Sequence, residues 1–225
     1  MYGEWSLEDS DVREVWGYRN GLSVAAAALL LETATAFLPE TGAARELARG
    51  LQTPVALAGG AGLGASLVLI HIYVAPIKRF LQALWALGFC GGLYLAATQA
   101  QPLPEYVASH PSAVWLVGPF FAAVTGVAFK EGMCYGKAEC AALFFVTPAL
   151  LLGHLTGLMP PEAERALLVA FTALALVFAA RKYTQAVKDD IGDKSVFTFL
   201  ALPPEEQERR VAELSAQASS VRARE

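Results

Sequence analysis

Six apolar runs dominate this chain, from Leu22 to Leu38, Val55 to Ala75, Leu81 to Ala97, Val114 to Phe129, Ala141 to Met159 and Ala166 to Ala180. Several are shorter than the roughly 20 residues that cross about 30 Å of hydrocarbon, and flanking residues extend each of them. In lipid every backbone N–H and C=O must be satisfied within the protein, and none of the runs alternates as a barrel strand does, so they read as helices. The rest of the composition agrees. At 55% hydrophobic residues and a mean hydropathy of +0.43, the 225 residues hold more apolar side chains than a water-facing surface leaves room to bury. The expected fold is all-α: a polytopic membrane protein with a bundle of about six transmembrane helices. Residues 1–20 form a cytoplasmic N-terminal segment, 21–181 the membrane domain, and 182–225 a cytoplasmic tail.

The first run invites comparison with a secretory leader, because Ala34-Thr35-Ala36 resembles a cleavage site. The residues before it are acidic, however, with Glu4, Glu8, Asp9, Asp11 and Glu14 against Arg13 and Arg19, which favours a spanning helix. Orientation follows from Lys and Arg in the short loops. With the N-terminus inside, the cytoplasmic side carries Arg13, Arg19, Lys78, Arg79, Lys130, Lys137, Arg181 and Lys182, and the opposite side only Arg45, Arg49 and Arg165. Both termini are therefore expected inside. Three thiols, Cys90, Cys134 and Cys140, make no disulfide framework and suit a reducing compartment.

Small residues recur at four-residue spacing in Gly60/Gly64, Ala61/Ala65, Gly88/Gly92 and Gly153/Gly157. Helices in lipid associate where missing side chains let backbones approach, so these pairs predict a tight bundle. Gly59 to Gly64 also spells a dinucleotide-loop pattern, but no strand precedes it and a membrane run surrounds it. Pro119 and Pro148 each free a carbonyl inside a span and are expected to kink it. Outside the bundle, Ala43 to Leu51 reads as a short helix lying flat in the loop from Pro39 to Pro54. In the tail, Ser195 to Leu202 is apolar but too short to span, so it lies at the interface or folds back beneath the bundle. Pro203 and Pro204 open a terminal helix with Glu205/Arg209 and Glu206/Arg210 pairs and a thin apolar stripe of Val211, Leu214 and Val221.

Among residues able to do chemistry, Glu32 stands inside the first span and His154 inside the fifth, each about 8 to 9 Å from the non-cytoplasmic boundary. Their common depth makes them a candidate intramembrane polar pair joined by a hydrogen bond. His71 is a further intramembrane polar residue, at the cytoplasmic end of span two and within reach of the connection between spans four and five. That connection, with Lys130, Glu131, Cys134, Lys137, Glu139 and Cys140, is a candidate contact site read as a solvated turn. Glu131 and Glu139 are expected to pair there with Lys130, Lys137 or Arg79. The Cys134 to Cys140 spacing is longer than that of zinc or redox motifs, and His71 and His154 lie toward opposite leaflets, which disfavours bis-histidine haem ligation. No cofactor is expected; haem, chlorophyll and zinc are the alternatives weighed. Nor is there a hydrolase elbow, a paired histidine box or a phosphate loop, so the expectation is that the chain is not an enzyme.

The segment Thr125-Gly-Val-Ala-Phe-Lys-Glu-Gly-Met-Cys-Tyr-Gly-Lys-Ala-Glu-Cys140, continuing through Pro148 to Leu151-Leu-Gly-His154, resembles a family of uncharacterised integral membrane proteins of cyanobacteria and plant chloroplasts. The stretch Asp193 to Glu205 is similar to that family too. The resemblance implies a thylakoid or cytoplasmic membrane in a photosynthetic organism and transfers no activity or functional residue. Two functions fit these observations. One is an accessory or assembly factor that meets a membrane protein complex through its loop and tail, with the lipid bilayer and no nucleic acid as its other partner. The second is a small transporter or channel for an ion, proton or metabolite that uses Glu32 and His154 as polar stations.

Overall fold

The computed structural model describes residues 2–39 and 41–222, with side chains at 217, 218 and 220–222 not described. Within them the chain forms α1 (Asp9–Thr35), α2 (Ala43–Leu69), α3 (Ala75–Thr98), α4 (Leu103–Ser109), a 3-10 turn (Pro111–Ala113), α5 (Val114–Tyr135), α6 (Ala138–Thr156), α7 (Pro161–Lys182), α8 (Val187–Ile191), α9 (Ser195–Leu200) and α10 (Pro204–Arg222), with no strand among the described residues. Five helices, α2, α3, α5 with its preceding turn, α6 and α7, are long and apolar enough to cross a membrane. At 27 residues, α1 is about 40 Å long, but its apolar portion is shorter and Glu14, Arg19 and Glu32 interrupt it.

Connectivity nevertheless makes α1 the sixth rod. Five antiparallel passes from α2 to α7 leave the chain at the end opposite to where α2 began, and there Arg19 of α1 pairs with Asp190 just beyond α7 at 2.6 Å. Thr33, near the other end of α1, meets Thr172 of α7 at 2.7 Å. Both described ends of the chain gather at the Arg19 end: Tyr2 N–H donates to Ser195 Oγ (3.0 Å), Lys194 binds Asp11 (2.9 Å), and Arg210 Nη2 donates to the Tyr2 carbonyl (3.0 Å). We call this the tail end and the opposite one the far end.

Local rules explain most boundaries. Asp11 accepts a hydrogen bond from Glu8 N–H at 2.8 Å, so an acid in the first turn holds a free donor at the start of α1. Pro161 opens α7, where its missing N–H costs nothing. Gly136, at φ 60°, ends α5 in the left-handed region and allows the tight turn into α6. One expectation changes here. Ala43 to Leu51 is no separate flat helix; it forms the first turns of α2, which continues through Pro54. The α3–α5 connection contains α4 and the 3-10 turn, with His110 exposed between them.

Packing combines close backbone crossings with a leucine-rich interior. Leu22, Leu63, Leu67, Leu81, Val127, Leu143, Phe171 and Phe178 meet in one buried cluster. Trp85 of α3 fills the space beside Gly64 and donates to the Gly60 carbonyl at 2.8 Å. Gly21 of α1 lies against Gly62 of α2 so closely that a Cβ at Gly21 would stand 2.5 Å from the Gly62 carbonyl oxygen. The outside is the inverse of a soluble surface: Trp115, Phe145 and Leu87 are 75%, 69% and 65% exposed, as befits side chains that face lipid. In the tail, α9 folds back beneath the bundle, with Phe199 stacked on Tyr2 and Phe197 against Tyr73. The expected Glu205/Arg209 and Glu206/Arg210 pairs give way to Arg209 and Arg210 both facing Glu213. Val211 is exposed and Leu214 half-buried; the side chain of Val221 lies outside the described residues.

Candidate functional site

The tail end of the bundle holds a cluster of buried charges. Glu131, on the last turns of α5, is fully enclosed and binds three lysines: Lys130 at 2.9 Å, Lys137 at 2.8 Å and Lys182 at 3.0 Å. Tyr18 of α1 donates to it as a fourth partner at 2.9 Å. Lys182 also contacts Asp190, whose other oxygen takes two donors from Arg19. Arg19 Nη2, one of those two donors, also reaches the carbonyls of Gln185 and Ala186. Gln185 Oε1 accepts from Lys137 and Lys182. Four cations thus surround two anions. The surplus positive charge is balanced by carbonyl dipoles and by ring faces, since Lys130, Lys137 and Lys182 stand 4.8–5.2 Å from the centroid of Tyr135, and Lys182 lies 5.0 Å from that of Tyr18.

This arrangement corrects the solvated turn expected for Lys130 to Cys140. The pairing of Glu131 with Lys130 and Lys137 occurs, but in a dry setting with Glu131, Lys137, Glu139 and Cys140 all buried. Glu139 pairs with Arg181 of α7 at 2.6 Å rather than with Lys130, Lys137 or Arg79. The reason is that the C-terminal end of α7 and the segment after it return beside the α5–α6 turn and exclude water from it. Cys134 is exposed while Cys140 is buried. Among the described residues no three of His, Cys, Asp and Glu gather as metal ligands. His71 lies beyond the end of α2, in the connection to α3, rather than within a span. It faces Glu14 at 3.4 Å and the edge of Phe197, not the α5–α6 turn. Burial pushes its imidazole below the ordinary histidine value, against an upward pull from Glu14. Lys194, held by Asp11, is raised above the usual lysine value by that hydrogen bond.

The far half of the bundle contains a cavity of about 490 Å³ whose walls come from α1, α2, α3, α4, α5, α6 and α7. It reaches from Arg45, Pro104 and Glu105 at the far rim down to Ala128, Phe178 and Ala179, about one helical turn short of Glu131 and Lys182. Most of the wall is apolar, with Leu29, Leu57, Phe121, Leu150 and Phe171 prominent, and the polar side chains gather toward the rim. Glu32 and His154 both line it, as their common depth led one to expect. They do not form the expected bond. His154 Nε2 contacts the Val107 carbonyl at 3.0 Å and Nδ1 contacts Glu164 at 2.5 Å, a setting satisfied when the ring donates from both nitrogens. Depth fixes only one coordinate, and the loop helix α4 and the first turn of α7 supply partners nearer to the ring. Glu32 Oε2 is left buried with no hydrogen-bond partner among the described residues.

Several residues here escaped the sequence reading. Arg45 joins the Thr35 carbonyl (2.7 Å) to Glu105 (2.8 Å), tying α1, α2 and α4. Gln52 is buried and donates to Thr35 Oγ1 at 2.9 Å. Arg19, Lys182 and Asp190 were visible as charges beside apolar runs, but nothing local marked them as enclosed.

Residues 65–199, from the last turns of α2 to α9, match a family model described as uncharacterized integral membrane protein (DUF2301). This chain belongs to the DUF2301 family. No curated protein and no solved structure matches it. The DUF2301 region contains Lys130, Glu131, Lys137, Lys182 and Asp190 of the charge cluster and the α5–α7 wall of the cavity, whereas Arg19, Glu32 and Gln52 precede it.

Proposed function

We propose that this DUF2301 protein is a non-enzymatic membrane carrier that takes a small, mainly apolar molecule into the far half of its bundle. The cavity carries this reading. Its about 490 Å³ falls within the roughly 300–1,000 Å³ typical of pockets for small organic ligands. Six rods and α4 build one continuous apolar wall with polar groups confined to the rim. The charge cluster lies between the cavity and the tail end, an asymmetry in keeping with one state of an alternating-access carrier. A photoreactive fatty alcohol with a mid-chain diazirine tests the idea in phosphatidylcholine nanodiscs. Saturable labelling of Leu57, Phe121 or Leu150 is expected, and Ala175→Phe, which fills the cavity, should abolish it. Labelling confined to lipid-facing residues such as Trp115, and unchanged in that variant, would remove the basis for a carrier.

A second reading, an accessory or assembly factor, draws support from α10. That helix is tied to the N-terminal segment by Arg210, which donates to the Tyr2 carbonyl, and leaves Val211 exposed as a contact for a membrane protein complex. The resemblance in residues 125–154 and 193–205 supports a home in the thylakoid or cytoplasmic membrane of a photosynthetic organism, and the Lys and Arg bias supports placing both ends in the cytoplasm or its organellar equivalent. Epitope tags at the two termini should therefore be accessible from the same face of sealed vesicles; accessibility from opposite faces would break the six-span arrangement.

A further inference from the structure

Hydrogen-bonding capacity around the rim of the cavity is lopsided. Gln52 is only 4% exposed, its amide donates to Thr35 Oγ1 at 2.9 Å, and its Oε1 has no partner among the described residues. Thr35 Oγ1 in turn donates to the Glu32 carbonyl at 2.7 Å, which brings Gln52 to the same turn of α1 as Glu32. Glu32 Oε2 is the other buried acceptor on this wall without a partner. The donors, by contrast, are engaged: Arg45 by Thr35 and Glu105, and His154 by Val107 and Glu164. A buried acceptor left without a donor costs free energy, and two of them on one wall of an apolar cavity define the ligand group that is missing.

Charge points the same way. Of the carboxylates lining the cavity, Glu105 has Arg45 and Arg49, and Glu164 has His154. Glu32 has no basic partner among the described residues. Building on the carrier reading above, we infer that the cargo is an amphiphilic primary amine, with its ammonium group bound by Glu32 and Gln52 at the rim and its hydrocarbon body lying along the apolar wall toward Phe121 and Phe178. An ammonium offers three donors and a positive charge, which satisfies both free acceptors and supplies the counter-ion that Glu32 lacks. A carboxylate head would add a second unpaired negative charge, and an alcohol would fill one acceptor at most.

The test is competition against the photoreactive fatty alcohol in phosphatidylcholine nanodiscs holding the full chain, with dodecylamine, dodecanol and dodecanoate as competitors and empty nanodiscs as background. Dodecylamine should displace the label at a concentration about tenfold or more below that of dodecanol or dodecanoate, the size expected of one charge-assisted hydrogen bond. Glu32→Gln should erase that advantage, and Gln52→Leu should reduce it. Equal displacement by all three competitors in the unaltered protein overturns the head-group assignment and leaves the carrier reading standing. Absence of saturable labelling overturns both. The comparison of competitors in the unaltered protein needs no variant to fold.

Discussion

Glu131→Ala is expected to destabilise the bundle by about 3–5 kcal/mol, the range for removing one partner from a buried ion pair. The variant leaves Lys130, Lys137, Lys182 and Arg19 facing Asp190 as their one remaining carboxylate, within a space from which water is shut out. Tyr18 loses its acceptor as well. Equilibrium unfolding in mixed detergent micelles measures the loss, and a change below about 1 kcal/mol would mean that the cluster is hydrated and that its charges are individually solvated. Lys182→Met in the Glu131→Ala background should recover part of the stability, because it removes one of the cations stranded by the first substitution. Such recovery is the signature of coupling within a network rather than of two independent defects.

Gly88→Val is the second large effect. A Cβ at Gly88 would meet the backbone nitrogen of Phe120, with the Phe120 Cβ and Cα at 2.6 and 2.7 Å. Backbone cannot rotate away as a side-chain tip can, so α3 and α5 must separate along their contact. The cost should stand at or above the upper end of the about 1–3 kcal/mol typical of overpacking. Gly92→Ala, one turn further along α3, is the control: its nearest neighbour is Leu103 Cδ2 at 3.6 Å, ordinary contact, so its effect should stay within about 0.5 kcal/mol. The same unfolding assay compares the two. Equal effects would mean that α3 and α5 do not cross at Gly88.

These two glycines show how far a sequence pattern reaches. Gly88 and Gly92 form one four-residue pair and are indistinguishable as a motif, yet it is Gly88 and Gly91 that press against α5: a Cβ at Gly91 would stand 2.8 Å from the Leu116 carbonyl carbon. Gly153 and Gly157 form another such pair, but Gly157 ends α6 at φ 63° and Gly153 packs against Met159 of its own following loop. A four-residue spacing puts two residues on one face of a helix. It does not say which neighbour that face meets or where along its length the axes cross.

Glu32 and His154 give the same lesson for the site. Counting residues from the helix ends placed both at one depth, and both line one cavity. Their azimuths, and the proximity of Glu164 and Val107 to the imidazole, depend on how α4 folds over the far end and where α7 begins. The charge cluster was less legible still. Lys130, Glu131 and Lys137 look like an ordinary wet turn because no local signal reports that Lys182, 51 positions from Glu131, comes back to seal it.

The apolar runs, whose length and lack of alternation leave helix as the one structure lipid permits, determined by themselves that this is an all-α membrane bundle, and the family match over 65–199 agrees. Local chemistry also fixed the turn at Gly136 and the start of α7 at Pro161. Only the tertiary structure decided which charges are buried, which histidine contacts are made and which acceptors face the cavity. Hydrophobic periodicity acts within a segment of chain, whereas desolvation of a charge is caused by whichever other segments surround it, and those come from anywhere along the sequence.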